Sequence, residues 1–111
     1  MLLPKTPTTR SRAIRDSARG EQCTFQVPGY CNGDPATTVL CHVQFDGGTM
    51  GGKASDLSAA YGCSDCHDLI DGRKRGRVSK DDLQLYRIRG VLRTLERLAD
   101  KGLIVVRGRA A

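Results

Sequence analysis

The residues best equipped for chemistry in this 111-residue chain are five cysteines and two histidines, all lying between Cys23 and His67. Four of the cysteines form two pairs, Cys23-x7-Cys31 and Cys63-x2-Cys66, with His67 directly after the second pair and His42 between the two. A tetrahedral zinc takes sulfur ligands at ~2.3 Å, and two ligand-bearing turns brought together by the fold supply four of them without a large core. The tight second pair is the stronger half of this signal. The first is looser, but Pro28-Gly29, Asn32-Gly33 and Asp34-Pro35 are turn signals that let it close. A structural Zn2+ held by Cys23, Cys31, Cys63 and Cys66 is therefore expected, with free or disulfide-forming cysteines as the alternative. Cys41 is left over. It adjoins His42 on a β-branched segment, so the two side chains should point to opposite faces, leaving Cys41 as a core residue or, alternatively, a metal ligand.

Charge is segregated around this ligand-rich centre. Residues 1–19 carry a net +4 and residues 73–111 a net +8, whereas residues 20–72, which hold every Cys and His, sum to −6. An acidic metal site between basic flanks suits a polyanionic partner; solvated surface charge is the plainer reading. The start, Met1-Leu2-Leu3-Pro4-Lys5, is too short in apolar residues for a signal peptide, and no stretch approaches the ~20 apolar residues of a membrane span. The expectation is a cytoplasmic protein with reduced thiols and no membrane partner.

Several elements are needed to position these groups. Residues 1–19 read as a basic arm ending in a short helix, Ser11 to Ala18, with Ser11 as N-cap and Gly20 beyond it. Thr37 to Val43 is the clearest strand, and Leu57 to Tyr61 forms a second short element after a glycine-rich loop. Cys66 to Gly72 reads as a helix that places His67, Ile70 and Asp71 on one face. Ser79-Lys80-Asp81-Asp82 starts a long helix whose apolar stripe, Leu85, Ile88, Leu92, Leu95 and Ala99, is expected to cover the small domain, with a dimer seam as the alternative. Arg89, Arg93, Arg97 and Lys101 recur on another face, suited to phosphates or to solvent. Lys101-Gly102 ends the helix, and Leu103 to Val106 is expected to pair as a strand or dock as a tail. The organisation is an arm over 1–19, a zinc-braced domain over 20–77, and a helix and tail over 78–111 packed on the same domain.

A strand His, a glycine loop, then Cys-x2-Cys-His on a helix resembles the ββα-metal motif of HNH (His-Me finger) endonucleases. The likeness extends through Arg19-Gly20-Glu21-Gln22-Cys23, Pro28-Gly29-Tyr30-Cys31-Asn32-Gly33, Leu40-Cys41-His42-Val43 and Cys63-Ser64-Asp65-Cys66-His67-Asp68-x2-Asp71. These blocks are similar to a phage and prophage nuclease family within that superfamily, over roughly residues 10 to 77. The resemblance implies an α+β fold, a zinc-braced ββα-metal domain with an added C-terminal helix. It also implies metal-dependent hydrolysis of phosphodiesters, of DNA, leaving 5′-phosphate and 3′-hydroxyl ends. His42 would then be the general base, since an imidazole accepts a proton near neutral pH. His67 and Asp71 would hold one catalytic divalent ion, Mg2+, Mn2+ or Zn2+. Two positions depart from the family pattern. Cys41 stands where a metal-binding Asp or His precedes the catalytic His, and Asp56 is the nearest candidate for the Asn that orients it. Asp56 can accept from the imidazole N–H, or it can be an N-cap or a surface acid.

Lys53, Arg73, Lys74, Arg75 and Arg77 are the candidate phosphate contacts. Gly47 to Lys53 has the G-x4-G-K outline of a phosphate-binding loop, but Ala54 replaces the Mg2+-binding hydroxyl and no parallel βαβ unit surrounds it. The runner-up is a non-catalytic, zinc-braced nucleic-acid-binding module, monomeric or dimeric. A redox protein using Cys63 and Cys66 is a third class, one that a bound zinc would exclude.

Overall fold

The computed structural model describes residues 8–44 and 54–109. Its elements are α1 (Arg12–Asp16), a 3-10 turn (Pro35–Thr37), β1 (Val39–His42), β2 (Ala59–Gly62), α2 (Ser64–Ile70) and α3 (Lys80–Asp100). Strands β1 and β2 form an antiparallel pair in the register Val39↔Gly62, Leu40↔Tyr61, Cys41↔Ala60 and His42↔Ala59. The result is a small α+β unit in which β2 is buried throughout, between β1 and helix α3.

The second edge of β2 is closed by Thr94 and Thr24 rather than by a third strand. Tyr61 donates its N–H to Thr94 Oγ1 at 3.0 Å, and Tyr61 O accepts from Thr24 N at 2.7 Å. Thr94 is fully buried on α3, and its hydroxyl also meets Thr24 Oγ1 at 3.0 Å. A buried backbone N–H left unpaired costs ~1 to 3 kcal/mol, so this hydroxyl holds helix and strand in one relative position.

Three of the five residues of the apolar stripe expected to face inward on α3 do not. Leu85, Ile88 and Leu92 are 63%, 41% and 58% exposed, while Gly90, Val91, Thr94 and Leu98 form the buried face. Close approach explains the rotation. A Cβ at Gly90 would lie 2.5 Å from Phe25 Cδ1 and 3.1 Å from Ala60 Cβ, so only a row with a glycine at its centre can lie against β2. Leu95 alone of the expected stripe packs on the main core, around Phe25, Val27, Cys41, Ala60 and Leu69. The basic row on α3 is likewise turned to internal use. Arg89 donates to the carbonyls of Phe25 and Gln26, Arg93 to Gln26 Oε1 at 3.1 Å, and both Arg97 and Lys101 pair with Glu21.

Helix ends follow local chemistry. Ser11 caps α1 through Ile14 N, and Ser79 caps α3 through Asp82 N. Helix α3 ends in a Schellman turn: Gly102 has φ +72°, its N–H reaches Ala99 O, and Leu103 N–H reaches Leu98 O. Leu103 and Ile104 then dock with Ile14, Ala18, Tyr61 and Leu98 in a second cluster, so the tail docks and does not form a strand. Helix α2 starts at Ser64, two residues before the expected Cys66, because Cys63 is its N-cap and its sulfur accepts from Cys66 N.

Candidate metal and catalytic site

Three turns converge on the cysteine cluster. Gln26, in the left-handed region at φ 47°, follows Cys23; Gly33, at φ 66°, follows Cys31; and the first turn of α2 follows Cys63. A left-handed Gln is strained, and Arg89 holds this one by its carbonyl. The Sγ atoms of Cys23, Cys31, Cys63 and Cys66 all lie within 4.8 Å of one another, and Cys31 and Cys63 are 3.9 Å apart. A tetrahedron with Zn–S bonds of ~2.3 Å has S···S edges of ~3.8 Å, so both the spacing and the donor set fit a structural metal such as zinc. All five cysteines are free thiols. The hydrogen bond from Cys66, opposed by burial, lowers the Cys23 thiol to about 4, and the same bond pushes Cys66 up.

Cys41 lies on the other side of β1 from His42. It is buried in the main core and burial, then the nearby Asp71 carboxylate, push its thiol up. A neutral sulfur among Phe25 and Ala60 behaves as a small apolar side chain.

His42 projects the opposite way and meets Asp56. Its Nε2 lies 2.8 Å from Asp56 Oδ1. The Asp56 side chain is fully buried, and three more donors reach it: Ser11 N–H at 2.7 Å, Arg15 Nη1 at 2.9 Å and Arg10 Nη1 at 3.4 Å. Burial raises the Asp56 pKa, but the hydrogen bonds from His42, Ser11 and Arg15 and the charge of Arg10 outweigh it and hold the carboxyl below the ordinary value. A carboxylate only accepts, so a neutral His42 carries its proton on Nε2 and keeps its lone pair on Nδ1. Asp56 is therefore neither an N-cap nor a surface acid.

His42 also lines an open cleft of about 480 Å³, together with Val43, Gln44, Ile70, Asp71 and Arg87. Asp71, at the end of α2, is one turn from His67, and their Oδ2 and Nε2 atoms lie 2.9 Å apart. The Arg73 guanidinium reaches both, 2.7 Å from Asp71 Oδ2 and 3.4 Å from His67 Nε2. These two atoms thus face a common guanidinium. Among the described residues, the four cysteines form the one group of three or more ligands close enough to share a metal; His67 and Asp71 make a pair.

The remaining candidates divide. Lys74 pairs with Asp65 at 3.3 Å, while Arg75 and Arg77 are exposed and make no ion pair among the described residues. Lys53 and the glycine loop of residues 47–52 lie outside the described residues. Arg87 was not legible as a site residue. It sits within the basic α3 sequence with no motif, yet it donates to Ile70 O at 2.8 Å and borders the cleft. Among the described residues, no helix is long and apolar enough to cross a membrane.

Comparison with known proteins agrees with the blocks read from the sequence. Over 62 residues the chain is 50% identical to "Putative nuclease YbcO" of Escherichia coli (strain K12) and to "Putative nuclease ybcO" of Enterobacteria phage 82. Each alignment covers 54% of this chain, and the chain spans 64% of the length of those curated relatives. A solved structure, "Structure of a putative bacteriophage protein from Escherichia coli str. K-12 substr. MG1655", superposes with a TM-score of 0.70 at 37% identity, covering 81% of this chain and all of the other. The family model described as "Putative nuclease YbcO" matches residues 12–103, most of the chain and all of the elements that build the cleft and the cysteine cluster; the chain belongs to the YbcO family.

Proposed function

We propose that this protein is a metal-dependent endonuclease of the HNH (His-Me finger) kind that hydrolyses phosphodiester bonds in DNA. The observation that carries this reading is the shared cleft. A histidine with one nitrogen tied to a buried carboxylate faces the same space as Asp71 and Arg87, and Asp71 adjoins His67.

In this reading β1, β2 and α2 form the ββα-metal unit, and Cys23, Cys31, Cys63 and Cys66 brace it with Zn2+. His67 and Asp71 would hold one divalent ion, Mg2+, Mn2+ or Zn2+, which when bound supplies Lewis-acid stabilisation of the phosphoryl oxygens. The protein's own residues do the rest. His42 Nδ1 takes the proton of the attacking water, and Asp56 fixes the ring and steadies the imidazolium that forms. Arg87 offers a cation to a phosphate oxygen. Arg73, which borders the His67–Asp71 pair, would with Lys53, Lys74, Arg75 and Arg77 meet flanking phosphates.

Cleavage of supercoiled plasmid with Mg2+, Mn2+ or EDTA tests this, comparing wild type with His67→Ala and Asp71→Ala. Cutting should require the ion and fall at least ~100-fold in either variant, the scale on which catalytic groups contribute. Salt-sensitive DNA binding with no cutting under any ion would instead favour a zinc-braced binding module.

A further inference from the structure

Asp56 has more positive charge around it than the orientation of one imidazole needs. Its oxygens meet two guanidiniums besides His42. Arg15 comes from α1 and Arg10 from the irregular segment before it, and Ser11 N–H also donates to the carboxylate. The same stretch is tied to the Asp56 backbone, since Asp56 N–H donates to Thr9 O at 2.8 Å and Arg10 donates to Ala54 O at 3.0 Å. Residues 9–15 thus wrap the carboxylate.

The charge has a consequence for His42. A lone carboxylate in hydrogen-bond contact with an imidazole favours the imidazolium by about 1 to 3 pH units, and a protonated ring cannot accept a proton from water. Orienting the base and keeping it free are therefore opposed demands. Cations on the same carboxylate reconcile them, because they offset its charge while leaving a lone pair for Nε2–H. The other charged groups facing His42 lie across the cleft, Asp71 from α2 and Arg87 from α3, and are opposite in sign. On α1, Arg12 and Asp16 pair with each other at 3.7 Å and are largely exposed, away from Asp56.

We propose that Arg10 and Arg15 are positioning residues acting through Asp56: they compensate its charge, so that the carboxylate fixes the His42 tautomer without holding the ring protonated. The inference rests on His42 being the base. It makes the segment before the cysteine brace a working part of the catalytic site, where the charge layout suggested only a DNA-facing arm.

The test uses the full chain with its zinc content measured, as wild type, Arg10→Gln, Arg15→Gln, the double variant and Arg15→Lys. The His42 ring proton is titrated by NMR without added Mg2+ or Mn2+, with His67 as the internal comparator. In the double variant the His42 midpoint should move to higher pH by about one unit, with His67 unmoved, and Arg15→Lys, which keeps the charge that Arg15→Gln removes, should leave the midpoint near that of wild type. The acid limb of the kcat/KM profile for plasmid cleavage should move with it. If the double variant does not fold, Arg10→Gln, which removes only the longer 3.4 Å contact, carries the test with a smaller shift in the same direction. An unmoved or lowered midpoint in a folded variant overturns the role of the arginines. Cutting by His42→Ala at the wild-type rate overturns the catalytic reading itself, and the two failures are read on different instruments.

Discussion

At the scale of single residues, Asp56 decides most. Its place in the sequence marks it only as a candidate to orient His42, because the partners that define its environment, Arg15 and Arg10, lie 41 and 46 positions away. Spacing within a motif is legible; contacts across that distance are set by packing. Asp56→Asn should test the assembly. An amide can still accept from His42 Nε2–H, but its NH2 would face the donors of Ser11 and Arg15. Removing one partner of a buried ion pair costs ~3 to 5 kcal/mol, and the arginines here are about a third exposed, so water relieves part of that. A loss of ~2 kcal/mol in urea denaturation at pH 7 is expected. The sign of its pH dependence follows from the depressed carboxyl. The stability that Asp56 contributes is complete above the unfolded value of ~3.9 and disappears as pH falls through the lower folded value. The gap between wild type and variant should therefore close below about pH 4.

At the scale of elements, β1, α2 and the start of α3 were legible because their signals are local: β-branched residues, a Cys-x2-Cys turn, a capping Ser. The facing of α3 was not. Leu85, Ile88 and Leu92 make the more apolar row, yet the row that packs is chosen by fit against Phe25 and Ala60, and periodicity carries no information about that surface. Paired substitutions check the rotation. Leu98→Ala should cost ~2 to 4 kcal/mol, and Leu92→Gln, on the exposed row, within ~0.5 kcal/mol of nothing. If both cost alike, the helix is seated differently. Gly90→Ala sharpens the point. Alanine favours an isolated helix over glycine by ~1 kcal/mol, whereas a Cβ 2.5 Å from Phe25 brings overpacking of ~1 to 3 kcal/mol. A net loss in melting temperature is expected, and a gain would show that Phe25 can move aside.

At the scale of the whole molecule, two cores, a two-stranded sheet and a four-cysteine cluster hold together a chain of 111 residues. Domains of this size depend heavily on any staple they have. Elemental analysis should find one tightly bound zinc per chain, and prolonged chelation should remove the cooperative thermal transition, with re-addition of zinc restoring it. The linear charge layout was a weaker guide, because it does not distinguish cations spent on Asp56, Glu21, Asp65 and Asp71 from those left for a partner. Under the proposed function, catalysis stands or falls on His42. The direct measurement is plasmid cleavage by wild type and His42→Ala at matched zinc content and saturating Mg2+ or Mn2+. A fall of ~100-fold or more with zinc and folding retained is the expected result, and undiminished cutting by the variant would contradict it.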